Sequence, residues 1–183
     1  MPRSRAVRGA AIVAATLIVI IGWYLGSPLF VRSTANEAAP TAANLVTPSP
    51  SMNESFPRET LGSFGPTPRV VATFDVARGE LQFVDNLHNG KGPVTLLRVG
   101  DRHVLRFENV AITNAPDVHV YLSRDRGGKW SESTSVYLGP LKATNGSFNY
   151  DVPAGTDVTP LRSVVVWCRA FSVLVTWADL VPV

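Results

Sequence analysis

The chain of 183 residues is 45% apolar and 17% charged, the make-up of a globular protein with an added hydrophobic segment, and its length allows one folded domain plus appendages. Its formal charge of +3 is spread thinly, with 5 of the 17 Lys and Arg and 3 of the 14 Asp and Glu in residues 1–68, so the clustered basic footprint of a nucleic-acid binder is missing. The single cysteine, Cys168, excludes an intramolecular disulfide and every thiolate-rich zinc or iron–sulfur pattern.

Arg3, Arg5 and Arg8 precede an uncharged run of 23 residues from Gly9 to Val31. As a helix it would span about 35 Å, which predicts a transmembrane helix over 9–31. A cleaved signal peptide is the alternative, but the run exceeds a usual signal core and Ser33-Thr34-Ala35-Asn36 makes a weak cleavage site. Three arginines before the run, against Arg32 just after it, predict a cytoplasmic N-terminus over 1–8. The expected localisation is the cell membrane, single-pass, with an extracytoplasmic C-terminal domain. Pro40, Pro48, Pro50, Pro57, Pro66 and Pro68, set among Ala, Thr, Ser and Asn, make 32–68 read as a disordered or partly polyproline linker.

From Val70 onward turn signals are close-set, at Asn89-Gly90, Gly100-Asp101, Gly127-Gly128, Asn145-Gly146 and Pro153-Ala154-Gly155. Short β-rich segments lie between them, predicting strands near 70–74, 81–84, 94–99, 103–107, 118–122, 136–138, 148–152, 164–168 and 171–177. The fold class is all-β: an antiparallel β-sandwich of about eight or nine short strands over 69–183. Gly100-Asp101 suits a two-residue hairpin turn. The run Val164-Val165-Val166-Trp167-Cys168 is apolar on both faces and belongs at the centre of a sheet. At period two, Cys168 shares a face with Val164 and Val166, while Trp167 and Arg169 project oppositely, so Arg169 is poorly placed to activate the thiol. Further on, Phe171, Val173 and Val175 are read as alternating with Ser172 and Thr176.

The residues that carry chemistry are few. In Asp117-Val118-His119-Val120-Tyr121-Leu122 a carboxylate, an imidazole and a phenol share one strand face. That arrangement suits a metal or haem ligand at His119 with Asp117 as its partner; the simpler alternative is that Asp117 closes the turn begun at Asn114 and Pro116 and that His119 and Tyr121, on an ordinary polar outer face, meet solvent or a covering loop. His88 reads as a turn residue and His103 as the start of a strand. For Cys168 three readings stand: an inert buried thiol, a redox thiol or thiolate ligand, and an intermolecular disulfide. Gly90-Lys91-Gly92 is too short for a phosphate loop, and no serine has a nucleophile-elbow setting, so hydrolase or transferase chemistry finds no support.

Four runs of residues, Val104 to Asn109, Asn114 to Leu122, Leu138 to Lys142, and Val164 to Leu174, resemble in order the electron-transfer DM-thirteen domain, a family often found beside DOMON domains. The resemblance covers most of 74–180. It implies a β-sandwich and an electron-transfer role in which the cysteine of the Trp-Cys motif, here Cys168, acts as a thiol or binds a prosthetic group such as haem. Two positions depart from the family pattern: Ala115 replaces a glycine before Pro116-Asp117, and Gly92-Pro93 replaces Gly-Thr. The apolar run around Cys168 predicts close packing, so no haem is expected on the isolated domain and any redox role is expected to run through the thiol with a redox partner. The rival expectation is a non-catalytic surface module that binds another envelope protein or a glycan through its sandwich loops, with Cys168 filling the core.

Overall fold

Pleating settles how the central strand is buried. In a computed structural model that describes residues 12–23, 32–40 and 72–183, Ser163–Cys168 is a strand in which every residue but Trp167 is buried. Numbered in chain order, the strands are β1 (Thr34–Asn36), β2 (Thr73–Glu80), β3 (Gly90–Lys91), β4 (Pro93–Val99), β5 (Arg102–Ile112), β6 (Val118–Ser123), β7 (Ser135–Pro140), β8 (Asn145–Asp151), β9 (Ser163–Cys168), β10 (Val173–Asp179) and β11 (Val181–Pro182). One sheet runs β1-β8-β5-β4-β2-β11 with β3 paired to β5, and the other runs β10-β9-β6-β7. The central position expected for β9 is therefore found, between β6 and β10.

Paired residues share a face, so the register defines the layers. Val164, Val166 and Cys168 of β9 lie beside Leu122, Val120 and Val118 of β6. All six join Val94, Leu96, Leu105, Phe107, Phe148 and Tyr150 of the first sheet in one core. Phe107 and Phe148 stack at 5.0 Å, with Tyr150 edge-on to Phe107 at 5.8 Å. The Tyr150 hydroxyl accepts from Lys142 N and donates to Pro140 O, tying β8 to the end of β7. Burial pushes its phenol well above the ordinary range. The β4–β5 hairpin turns at Gly100, which takes φ +61°, as the Gly-Asp turn requires.

The expected transmembrane helix and the membrane localisation built on it are corrected here. Among the described residues no helix is long and apolar enough to cross a membrane. The described helix, 12–23, covers about 18 Å against the roughly 30 Å of a hydrocarbon core. The rest of the expected span, the N-terminal 1–8 and the linker over 41–68 lie outside the described residues.

Four strand-level expectations also change. Part of the expected linker is structured: β1 adds a parallel strand beside β8, so the sandwich is not wholly antiparallel. Ser33 O accepts from Thr144 N and Asn145 N, Glu37 N donates to Ser147 O, and Arg106 Nη1 donates to Glu37 O and Ala38 O. A Cβ on Gly146 would collide with Ala35 O, so glycine lets the two backbones meet. Leu81 to Val84 is not a strand: Gln82 N donates to Trp177 O and Thr176 Oγ1 donates to Gln82 O, so this segment crosses between sheets and covers the β10 edge. β10 begins at Val173, leaving Phe171 exposed, and a register shift between Leu174 and Thr176 turns both Val175 and Thr176 inward. The described residues hold eleven strands because β1, β3 and β11 are too short to show a period.

Val166 has no exposed surface. Val166→Asp is expected to abolish cooperative unfolding, because an unpaired buried carboxylate costs several kcal/mol against a total stability of about 5 to 15. Circular dichroism of the purified variant checks it. The β1 attachment is expected to be acid-labile. Partial burial pushes Glu37 up, but hydrogen bonds from Lys142 Nζ and Asn149 N outweigh it and hold the carboxyl below its ordinary value. A carboxyl lowered on folding stabilises above its unfolded value and loses that contribution as the pH falls through the folded one. Protection of the Glu37 amide against hydrogen exchange, taken relative to its intrinsic rate at each pH, should therefore fall in acid before that of the Phe107 and Phe148 amides.

Candidate functional site

The outer face of the four-stranded sheet carries the unusual side chains. By register, His119 lies beside Trp167, and Tyr121 lies between Val165 and Tyr137. This is the stripe expected from the sequence, but it is buried: His119 is 8% exposed and Tyr121 is 4% exposed. The cover is the β6–β7 connection, 124–134. Its backbone is fixed at the sheet by Ser163 Oγ donating to Asp125 O and Ser123 Oγ to Lys129 O, and by Gly127 N donating to Asp179 Oδ1. Gly128, at φ +72°, lies where a Cβ would press on Leu174 and the Trp177 ring. The strap then lays Trp130 on Trp167, ring centres 5.0 Å apart and 18° from parallel. Tyr121 meets Trp130 at 5.5 Å and Tyr137 at 5.3 Å, and Tyr137 meets His119 at 5.5 Å.

Polar contacts fix the ends of this aromatic row. His119 Nε2 lies 2.6 Å from Asp117 Oδ1 and its Nδ1 lies 2.9 Å from the Tyr137 hydroxyl. An ionised carboxylate only accepts, so in the neutral imidazole Nε2 carries the hydrogen and Nδ1 is the acceptor for the Tyr137 O–H. Asp117 holds this position from a left-handed backbone, φ 55°, which aspartate tolerates better than most residues. The left-handed residue of this turn is thus Asp117 and not Ala115, the position at which the chain departs from the DM-thirteen pattern. Arg169 donates from Nε to the Tyr121 hydroxyl at 2.7 Å, and its guanidinium lies 4.7 Å from the Tyr137 ring centre. That hydrogen bond to Tyr121 holds the Arg169 guanidinium above its ordinary value.

Cys168 occupies the other face. Its side chain has no exposed surface and its Sγ–H donates to Pro116 O at 3.0 Å. The structure therefore brings Asp117 and His119 together and puts Cys168 across the sheet from them. These three cannot ligate one group from a common side. Neither His119 nitrogen is free, and Cys168 lines none of the described clefts, of about 500, 250 and 570 Å³. The residues present do not fit a thiolate-ligated haem, which needs an open cavity against the sulfur. Among the described residues no group of three or more His, Cys, Asp and Glu is placed to hold a metal ion.

The remaining histidines lie apart from this site. His88 closes a turn on Asp85, Nδ1 to Oδ2 at 2.9 Å, and that hydrogen bond, with backbone amides, holds the Asp85 carboxyl below its ordinary value. His103 lines the cleft formed with Asp101, Asp151 and Asp157, and burial first, then the Arg98 charge, lowers its imidazole. Sequence reasoning missed Tyr137 and Trp130. Tyr137 sat in the expected strand 136–138 without being read as part of the stripe, and Trp130 in a loop whose signal was the Gly127-Gly128 pair before it.

A family model described as Electron transfer DM13 matches residues 82–180, more than half of the chain and all of β3 to β10. No curated protein matches the chain, and no solved structure does.

The stacked indoles are expected to give an exciton-coupled circular dichroism signal. Trp130→Leu should remove it, and so should Gly128→Val, which strains a left-handed residue by about 1–3 kcal/mol and lifts the strap off Trp177. Cooperative unfolding with a lowered Tm is expected to survive in both, because the inner core is untouched.

Proposed function

Because the chain belongs to the DM-thirteen electron-transfer family, we propose that this domain exchanges electrons with a partner protein through the Cys168 thiol. The observation that supports it is the placement of Cys168 at the last residue of β9, with its S–H on Pro116 O and the Asn114–Asp117 turn laid over it. The thiol is held at a sheet end, where one turn stands between it and the surface, and not in the middle of a strand.

A partner sulfur cannot reach a side chain with no exposed surface, so exchange requires the turn to open. Once it does, the S–H proton leaves to water and the thiolate attacks one sulfur of a partner disulfide. The partner's other sulfur departs as thiolate, and a mixed disulfide joins the two proteins. A second reading is favoured by the complete burial of Cys168: a non-catalytic interaction module in which the thiol only fills the core.

Two measurements separate these readings. Under native conditions a neutral maleimide should label Cys168 slowly, at a rate insensitive to mild denaturant, as local opening of the turn predicts. Cys168→Ser should fold and lose electron exchange with thiol–disulfide reagents. Labelling that tracks global unfolding, or full exchange activity in Cys168→Ser, would put the interaction module ahead.

A further inference from the structure

The outer-face cluster has a feature that burial and stability do not require: the one exposed phenol of the row is hydrogen-bonded to a base. Tyr137 is 43% exposed on the edge strand β7, and its hydroxyl donates to an imidazole nitrogen whose opposite nitrogen is held by a carboxylate. From Tyr137 the rings run in contact through the buried Tyr121 to the half-buried Trp130 and Trp167, with neighbouring centres 5.3, 5.5 and 5.0 Å apart. Trp167 is the chain neighbour of Cys168.

We propose that Tyr137 is a one-electron redox centre whose proton is taken by His119, and that the ring row carries the oxidising equivalent between the surface and Trp167. The proposal rests on the electron-transfer reading of the domain but not on Cys168.

A one-electron oxidant, such as a high-potential metal centre of a partner protein, docks at the exposed edge of Tyr137 and accepts one electron. The phenolic O–H bond breaks and its proton moves along the existing hydrogen bond to His119 Nδ1. The products are the reduced oxidant, a neutral tyrosyl radical, and an imidazolium whose other N–H remains on Asp117. An electron arriving from a reductant along the row reverses the step, and the proton returns from Nδ1 to the phenolate oxygen.

Three features of the site fit this chemistry better than a structural role alone. Asp117 sets the tautomer that leaves Nδ1 as acceptor, and it opposes the positive charge that His119 gains. The Arg169 guanidinium, 4.7 Å from the Tyr137 ring centre, opposes a positively charged ring, so electron loss without proton loss is disfavoured and the coupled route is selected. Arg169 also donates to the Tyr121 hydroxyl, so the second phenol in the row has its oxygen beside a cation and no base of its own in the row. The row thus has one proton-coupled member, at its solvent end.

Flash photolysis of the full chain with a ruthenium tris-bipyridyl photo-oxidant and a sacrificial electron acceptor tests this. The neutral tyrosyl radical is read by electron paramagnetic resonance and transient absorption. The wild type should form the radical with a slower rate in deuterium oxide. Tyr137→Phe, which loses only a hydroxyl, should remove the signal. His119→Phe should slow its formation about 100-fold, the low end of what a positioned proton acceptor contributes, and lose the isotope effect. Cys168→Ser should form the radical as the wild type does. If that variant keeps the radical and also keeps thiol-reagent exchange, the thiol reading falls and this one stands. An undiminished radical in Tyr137→Phe, or its loss in Cys168→Ser, overturns the proposal. Should His119→Phe fail to fold, Tyr137→Phe and the isotope effect decide alone.

Discussion

The structure depends on covering β9 on both sides. Val164, Val166 and Cys168 face the first sheet, while Val165 and Trp167 face away from it, and both valine sets have no exposed surface. A two-layer sandwich covers only the first of these faces. Leaving Val165 and Trp167 to water would forgo about 1.5–3 kcal/mol for each large side chain, so a third layer is needed over this end. The strap 124–134 supplies it. A backbone laid on a sheet must satisfy its own polar groups; Ser163 and Ser123 donate to Asp125 O and Lys129 O, and Asp179 Oδ1 accepts from Gly127 N.

This covering divides the chemistry by face. The inner side is apolar and closed, and holds the thiol; the outer side is aromatic, carries His119 with Asp117 and Arg169 at its rim, and reaches solvent at Tyr137. Successive residues of a strand point oppositely, so Cys168 and the His119 stripe are kept apart by the pleat itself, however near they lie along the chain. A ligand set drawn from both would need a strand twisted through half a turn.

What the sequence revealed follows the same division. Where one face is buried by a sheet, period-two alternation marks it, as in β5, β8 and the inner side of β6, and the sandwich with its Gly100-Asp101 hairpin was legible for that reason. Where order comes from backbone pairing or from loops, the pattern is silent. Thr34–Asn36 is too short to show a period, and beyond the small contact of Ala35 with the core it is held by Ser33, Glu37 and the gap at Gly146. Leu81 to Val84 alternates like a strand yet crosses between sheets, because Gln82 pairs with the β10 edge. The stripe of Asp117, His119 and Tyr121 was visible, but its cover was not, since Trp130 arrives from a connection whose path depends on positive φ at Gly127 and Gly128. The apolar run Gly9 to Val31 met the length criterion for a membrane span, and the helix that the structure describes within it is too short to meet that criterion.

The Asn114–Asp117 turn is where the two faces are mechanically joined. Pro116 O holds the Cys168 S–H on the inner side, Asp117 O accepts from Arg169 N at the strand end, and the Asp117 carboxylate orients His119 on the outer side. One left-handed residue, Asp117, sets the direction of all three. A turn held in a conformation that L-residues disfavour by about 1–3 kcal/mol persists only while its surroundings outvote that cost. Here the surroundings are the thiol bond, the Arg169 bond and the His119 pair together. Opening of the turn therefore releases the thiol, the Arg169 amide and the His119 pair together, whereas a serine hydroxyl at position 168 is still a donor for Pro116 O and leaves the restraint in place. The imidazole that fixes the Tyr137 hydroxyl then responds to a change on the far side of the sheet, although no side chain passes through it.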